Sequence, residues 1–416
     1  MRWCGVVLTA LLVLSGCGHR ISYRVDGRYH VGDPAFAREM NVLLGPPLVG
    51  GNEIETLRNG DEIFPAMLKD IRAARKTITF ETYIYWSGKV GKEFGDAFAE
   101  RARAGVKVHV LVDWYGSSRI DKSVVKEMKD AGVQFYEYHP VYFFDWGSVA
   151  QIDHRTHRKL LVVDGKVGYT GGVGIADEWS GNATDPKHWR DNQYRVQGPV
   201  VGQLQAAFME NWLETTGVVL EGDGYFPRLD SAGTEPAQVF KSNYHGGSES
   251  MQLLYLMSVA SAGHTVRMET AYFVPDDQTI AFLLAARKRG VDVEIIVPGP
   301  HIDEKVVRAT SRSRWGPLLA SGVKIYEYRH TMFHCKLLIV DDQWVSLGSS
   351  NLDERSFRLN DEANLNVLDP SFARSQINMF EQDKGRSRQI TYDLWRHRPL
   401  WEKVTGIATN LFGDEM

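Results

Sequence analysis

Two short stretches hold the residues able to do chemistry. His334-Cys335-Lys336 runs into the apolar Leu337–Val340 and then Asp341, while His157-Arg158-Lys159 runs into Leu160–Val163 and then Asp164. The His-x-Lys-x4-Asp spacing is identical. After six further residues comes Gly171-Gly172 in one case and Gly348-Ser349-Ser350-Asn351 in the other. In an extended chain His334 and Lys336 share a face and Cys335 takes the opposite one. An imidazole beside an ammonium, followed by small residues that let backbone approach closely, suits a bound phosphate. The lysine offsets its charge, and the imidazole attacks phosphorus or moves a proton. A single His-x-Lys is usually a solvated strand edge, but a duplicate at the same spacing reverses that reading. His154 has no lysine two residues on and falls outside the pattern.

The elements that position these pairs also come twice. Thr77–Tyr83 is echoed by Thr265–Tyr272, Arg103–Val112 by Lys288–Val297, and Ala131–Tyr138 by Ser321–Tyr328. Strands alternating with helical patterns predict an α/β fold. Specifically, they predict two duplicated α/β/α halves with mixed, mostly parallel sheets about a pseudo-twofold axis, both His-x-Lys strands meeting at one cleft. The expected divisions are a leader at 1–16, a tether and lead-in at 17–51, a first half at 52–217, a connection at 218–245 and a second half at 246–416.

The paired motifs resemble those of the phospholipase D superfamily, in its bacterial cardiolipin synthase branch. The likeness spans about residues 52–402. It includes Phe80-Glu81-Thr82-Tyr83-Ile84, Asp113-Trp114-Tyr115-Gly116, Trp189-Arg190-Asp191 and Trp395-Arg396-His397-Arg398-Pro399-Leu400-Trp401. One histidine can attack phosphorus and form a phosphohistidine, while the other protonates the leaving alkoxide and later deprotonates the incoming alcohol. Lys159 and Lys336 hold the non-bridging oxygens. The residues leave the order of the histidines open; the resemblance implies His157 as nucleophile and His334 as acid and base. It also implies a carboxylate some thirty residues beyond each motif to orient an imidazole, for which Asp191 and Glu362 are the candidates. Asp164 and Asp341 complete the motif set but fit turn residues holding strand-end backbone. Glu81 and Glu269 are expected as scaffolding near the site. The halves differ: Gly172 stands where the second has Ser349, and Gly174 where it has Asn351, so the first-half pocket is expected to be roomier or differently hydrogen-bonded.

Such chemistry needs no metal or cofactor, and the sequence offers no convincing metal cluster. A net charge of −4 gives no global argument for nucleic acid. Arg2, the apolar Val6–Leu14 and then Leu14-Ser15-Gly16-Cys17 read as a lipoprotein leader with Cys17 as the lipidated residue. The expected location is therefore the extracytoplasmic face of a bacterial envelope membrane. Cys335, without a partner once Cys4 leaves with the leader and Cys17 carries lipid, reads as a small buried hydrophobe. Val141–Trp146 and the segment around Trp395 and Trp401 suit either a membrane interface or a packed core. The resemblance implies transfer of a phosphatidyl group onto phosphatidylglycerol, releasing glycerol or another head group. The alternatives are a phospholipase D hydrolase, transfer to another acceptor, a nuclease and a non-catalytic lipid-binding scaffold.

Overall fold

Strands that are apolar without alternation have to be buried on both faces, and the repeated strands are. Every residue of β2 (Thr77–Thr82) is buried, as are all of β3 (Lys107–Asp113) after its first residue. The computed structural model describes residues 22–27, 29–142, 152–243, 251–400 and 402–403. In the first half these strands are joined by β1 (Val49–Arg58), β4 (Gln134–Tyr138), the short β5 (Arg155–Thr156), β6 (Leu160–Val163), β7 (Val167–Gly171) and β8 (Asn192–Gln197). The rest of the chain adds β9 (Glu235–Ser242), β10 (Thr265–Glu269), β11 (Asp292–Pro298), β12 (Lys324–Tyr328), β13 (Leu337–Val340), β14 (Trp344–Gly348), β15 (Asn360–Leu368) and β16 (Ser387–Ile390).

The order β4-β3-β2-β6-β7-β8-β1 is followed directly by β9-β15-β14-β13-β10-β11-β12-β16. Apart from the added β16, the second series mirrors the first about the antiparallel β1–β9 pair. This is the expected duplication, but as one continuous mixed sheet. Among these strands, parallel pairing is confined to β2-β3-β4, β10-β11-β12 and the short β5–β15 contact, and the other strand pairs are antiparallel. The expected parallel majority is therefore corrected. Each motif strand turns back immediately through a tight hairpin (β6–β7, β13–β14), which only antiparallel pairing allows. Helices Val201–Thr216 and Pro370–Gly385 pack with strands of both halves into one shared core. The remaining helices build a separate core for each half.

Two expected boundaries also change. Residues 218–245 are not simply a connection, because they contain β9, which pairs with both β1 and β15. The lead-in is not merely a tether. Asp33 caps a helix at Pro34–Leu43, whose Phe36 and Met40 are buried in the second-half core.

Asp164 and Asp341 sit in the left-handed region, at φ 53° and 50°. The Asp164 carboxylate accepts from the N–H groups of Arg75, Lys76 and Thr77, and that of Asp341 from Gly263, His264 and Thr265. Each aspartate lies five residues beyond its motif lysine, roughly 16 Å along an extended strand. Their place in the motif's catalytic set is thereby corrected: they fasten the strand end to the preceding loop.

Glu81 accepts from Thr156 Oγ1 (2.5 Å) and Asn211 Nδ2 (2.8 Å). Neither carboxyl oxygen of the buried Glu269 has a hydrogen-bond partner among the described residues. Burial, with Asp383 adding to it and Arg190 opposing, pushes the Glu269 carboxyl from 4.5 up to about 8. The folded state thus holds this proton more tightly than the unfolded chain, and its stabilising contribution is lost as pH rises from about 4.5 through about 8. Glu269→Gln removes this dependence. Between pH 5 and pH 8.5 its melting temperature should fall less than the wild type's, by about 1–3 °C; parallel melting curves would contradict the assignment.

Candidate active site

His157 and Lys159 lie just before β6, and His334 and Lys336 just before β13. They are past the end of the ladder with β2 or β10, so their backbone is available to pair elsewhere, and it pairs across the molecule. The His157 N–H donates to Asp361 O (2.9 Å), and the His334 N–H to Arg190 O (2.8 Å). Those two carbonyls belong to the residues directly before Glu362 and Asp191. Side-chain alternation then does what the spacing predicts. Arg158 turns away to Ala207 O, Glu210 and Ser242 O, and Cys335 turns into a small cluster with Phe333 and Phe380.

The carboxylates follow the same exchange. His157 Nδ1 lies 2.9 Å from Glu362 Oε1, and His334 Nδ1 lies 2.7 Å from Asp191 Oδ2. Each imidazole is thus oriented by an acid of the other half. With Nδ1–H given to a carboxylate, Nε2 keeps the lone pair and is the ring atom left for chemistry. Lys159 Nζ and Lys336 Nζ donate to the carbonyls of His157 and His334, both at 2.6 Å. Lys336 Nζ also lies 3.0 and 3.2 Å from the two ring nitrogens of His334.

The electrostatics follow from burial. It pulls the His157 imidazole down to about 4 against the attraction of Glu362, with Lys159 adding to the fall. Burial and then Lys336 pull His334 down to about 3, against Asp191. Burial alone would raise the two acids, but attraction to their imidazoles and hydrogen bonding overcome it. The Glu362 carboxyl sits at about 2, and Asp191 also lies below its usual value. Burial lowers Lys159 to about 7 and lowers Lys336 as well. The unliganded site therefore holds two neutral imidazoles and two ionised acids. A phosphodiester entering between the lysines brings negative charge, which raises both imidazoles and both ammoniums toward protonation.

A cavity of about 660 Å³ opens on His157, with Tyr83, Tyr115, Trp189, Tyr272 and Asn351 in its wall. Asn351 Oδ1 is buried without a hydrogen-bond partner among the described residues. Ser349 donates to Glu362. In the first half Gly171 and Gly172 put backbone against β8 and Asp191. Extra room is absent, because the Asp191 carboxylate lies where a Cβ on Gly172 would stand and Ile84 and the Trp179 indole crowd Gly174; the difference is in hydrogen bonding, with Trp179 Nε1 donating to Asp191 Oδ2 at 2.9 Å. The aromatic walls are what sequence reasoning missed. Tyr83 stands edge-on to His157 at 5.3 Å, while Trp179, Trp189 and Tyr272 stand around His334 at 5.3, 5.5 and 6.3 Å. Tyr83 and Trp189 fall inside the phrases that carry the family likeness, but nothing in the sequence signals Trp179.

Of the residues offered for a membrane interface, Trp395 packs beside Gly316 and donates to Arg312 O, and Tyr142 is exposed. Cys17, residues 143–146 and Trp401 lie outside the described residues. Among the described residues, the ligand atoms of Glu269, Cys335 and Asp383 come within 4.8 Å of one another. They lie behind the motif strand, where Arg190 already engages both Asp383 oxygens.

The two imidazole–carboxylate pairs, each built from both halves, are the arrangement of a duplicated enzyme of the phosphodiester-processing class. The sequence profile described as "Cardiolipin synthase, PLD-like domain" matches residues 67–212 and 255–384. The chain belongs to the phospholipase D superfamily, in the cardiolipin synthase branch. It is 34% identical to cardiolipin synthase 2 of Bacillus anthracis over 354 residues, covering 85% of this chain and 68% of that one. It is 32% identical to the major cardiolipin synthase ClsA of Bacillus subtilis strain 168 over 362 residues, covering 86% and 74%. The fold is similar to that of phosphatidylserine synthase from Haemophilus influenzae Rd KW20, with a TM-score of 0.70 at 16% identity over 91% of this chain and 99% of that one.

If the carboxylates fix the tautomer and orientation of the imidazoles, Asp191→Asn and Glu362→Gln should each lower kcat on the order of 10²–10⁴-fold with little change in melting temperature. Wild-type kcat in either variant, measured by lipid turnover, would contradict the pairing.

Proposed function

We propose that the protein is a phosphatidyltransferase of cardiolipin synthase type, acting through a phosphohistidine. His157 Nε2 attacks the phosphorus of a donor phospholipid, phosphatidylglycerol in the simplest case. The bond from phosphorus to the head-group oxygen breaks, and His334 delivers its proton to that oxygen, releasing glycerol. Neutral again, His334 takes the proton from a free hydroxyl of a second phosphatidylglycerol. The new alkoxide attacks phosphorus, the phosphorus–nitrogen bond breaks, and cardiolipin leaves with His157 restored. Lys159 and Lys336 hold the non-bridging oxygens in both steps. His157 is assigned as nucleophile because it lines the cavity, whereas aromatic rings crowd His334. The single observation that carries the reading is the pair of imidazole–carboxylate contacts exchanged between the halves.

Membrane contact is assigned to an acylated Cys17 and to exposed side chains beside the cavity, Tyr115 and Val306, on the extracytoplasmic face of the envelope. No helix among the described residues is long and apolar enough to cross a membrane.

The test is purified protein with labelled phosphatidylglycerol vesicles in chelator, followed by lipid separation. Cardiolipin plus glycerol is the expected result. Phosphatidic acid would make the protein a hydrolase, and binding without turnover a scaffold. His157→Ala and His334→Ala should each lower turnover roughly 10⁴-fold or more without unfolding the chain; full activity in either would overturn the two-histidine mechanism.

A further inference from the structure

The two halves solve one problem with different groups. In the second half Ser349, in the turn after β14, donates to Glu362, the acid that holds His157. The same hydroxyl accepts from Ala363 N–H at 3.0 Å. In the first half the matching position is Gly172, and no side chain fits there. A Cβ would fall 2.4 Å from Asp191 Oδ1 and 2.7 Å from Oδ2. Asp191 is one methylene shorter than Glu362, so its carboxylate lies against the turn backbone itself. The backbone supplies one donor, Asn192 N–H to Asp191 Oδ1 at 2.8 Å, and a donor for Oδ2 has to come from elsewhere.

It comes from the short 3-10 turn Asp177–Trp179. Trp179 Nε1 lies 2.9 Å from Asp191 Oδ2, the same oxygen that faces His334 Nδ1 at 2.7 Å. The indole is buried, stacks obliquely on Trp189 at 4.4 Å and meets the His334 ring edge-on at 5.3 Å. Its position is braced, since Asp177 accepts from Lys89 N–H and Val90 N–H. The corresponding residue of the second half, Ser356, does something else: its hydroxyl accepts from Asn351 N–H.

We propose that Trp179 is the positioning residue for the Asp191–His334 pair, its indole N–H replacing the serine hydroxyl that Gly172 lacks. Gly172, Asp191 and Trp179 form a matched set, as do Ser349 and Glu362. The substitution is not neutral. A serine hydroxyl both donates and accepts, while an indole only donates and brings an apolar wall. His334 therefore sits against an apolar wall, with an acid whose Oδ2 takes the indole N–H and whose Oδ1 takes Asn192 N–H at 2.8 Å.

The proposal rests on the phosphatidyltransferase reading, in which His334 carries the proton for the leaving group. Trp179→Phe keeps the wall and deletes the N–H. Replacing Trp179 with benzothienylalanine deletes it with no change of shape, which covers the case where the phenylalanine variant fails to fold. Without the N–H, the Asp191 charge is less well satisfied and draws the His334 proton more strongly. The other charged groups around the pair stay the same: Lys336 on its own strand, Lys159 of the other motif, and Arg190, Asp383 and Glu269 behind the strand.

The measurement is kcat against pH on phosphatidylglycerol vesicles, for wild type, the two Trp179 variants and Ser349→Ala. Either Trp179 variant should lose about tenfold in kcat with KM within twofold, and its alkaline limb should move to higher pH. Ser349→Ala should leave that limb in place and move the acid limb, which reports His157. Unmoved pH limbs in both Trp179 variants, alongside an active wild type, would overturn the proposal and leave Trp179 as packing. A wild type without transferase activity would instead defeat the function on which the proposal stands.

Discussion

Each candidate imidazole is held by a carboxylate from the other half of the chain, and the rest of the architecture serves that exchange. Neither half contains a complete site. His157 without Glu362, or His334 without Asp191, would be a buried ring with no fixed tautomer and no acid to stabilise its charged form. The backbone repeats the exchange, since each motif N–H donates to the carbonyl just before the opposite acid. Strand β9 then closes the arrangement by pairing with β1 on one side and β15 on the other, which makes two repeats into one sheet. Burial is the condition for the chemistry as well as its cost. It keeps both imidazoles neutral until a phosphate brings negative charge that raises their affinity for a proton, of which the chemistry needs one on His334 and none on Nε2 of His157.

Behind the two motifs the charges are balanced in different ways. The first places Arg158 on the motif segment, where it offsets Glu81, Glu210 and Asp361. The second has Cys335 at that position and places its cation, Arg190, next to Asp191, where it pairs with Asp383 at 2.7 Å. Positions 158 and 335 therefore cannot be exchanged singly, because a cysteine at 158 would leave buried carboxylates without their cation. The same divergence appears on the site side, where serine with glutamate in one half faces glycine, aspartate and tryptophan in the other. Duplication set the frame, and each half then solved its electrostatics locally.

Much of this was legible in the sequence because periodicity and spacing report it directly. Alternation along His-x-Lys separated the face of His334 and Lys336 from Cys335. The repeated Thr77–Tyr83 and Thr265–Tyr272 phrases gave the duplication, and Asp164 and Asp341 behaved as the turn residues their chemistry suits. Three things were not legible, each because it depends on contacts distant in sequence. The partner of each acid is set by a contact spanning 143 or 205 residues. The strand within 218–245 looks like a connection because its pairing partners, β1 and β15, lie far off in the chain. Trp179 carries no motif, and only the geometry of a glycine against Asp191 shows why an indole is needed.

The central claim is that one imidazole from each half acts on the same phosphorus atom in distinguishable roles. It is tested most directly by giving His334→Ala a phosphatidyl donor with p-nitrophenol as leaving group, which departs without a proton. The account predicts a rapid release of one equivalent of p-nitrophenolate per enzyme and then arrest, with the phosphatidyl group found on His157 by mass spectrometry. Steady release without a burst, or an adduct on any other residue, would contradict it.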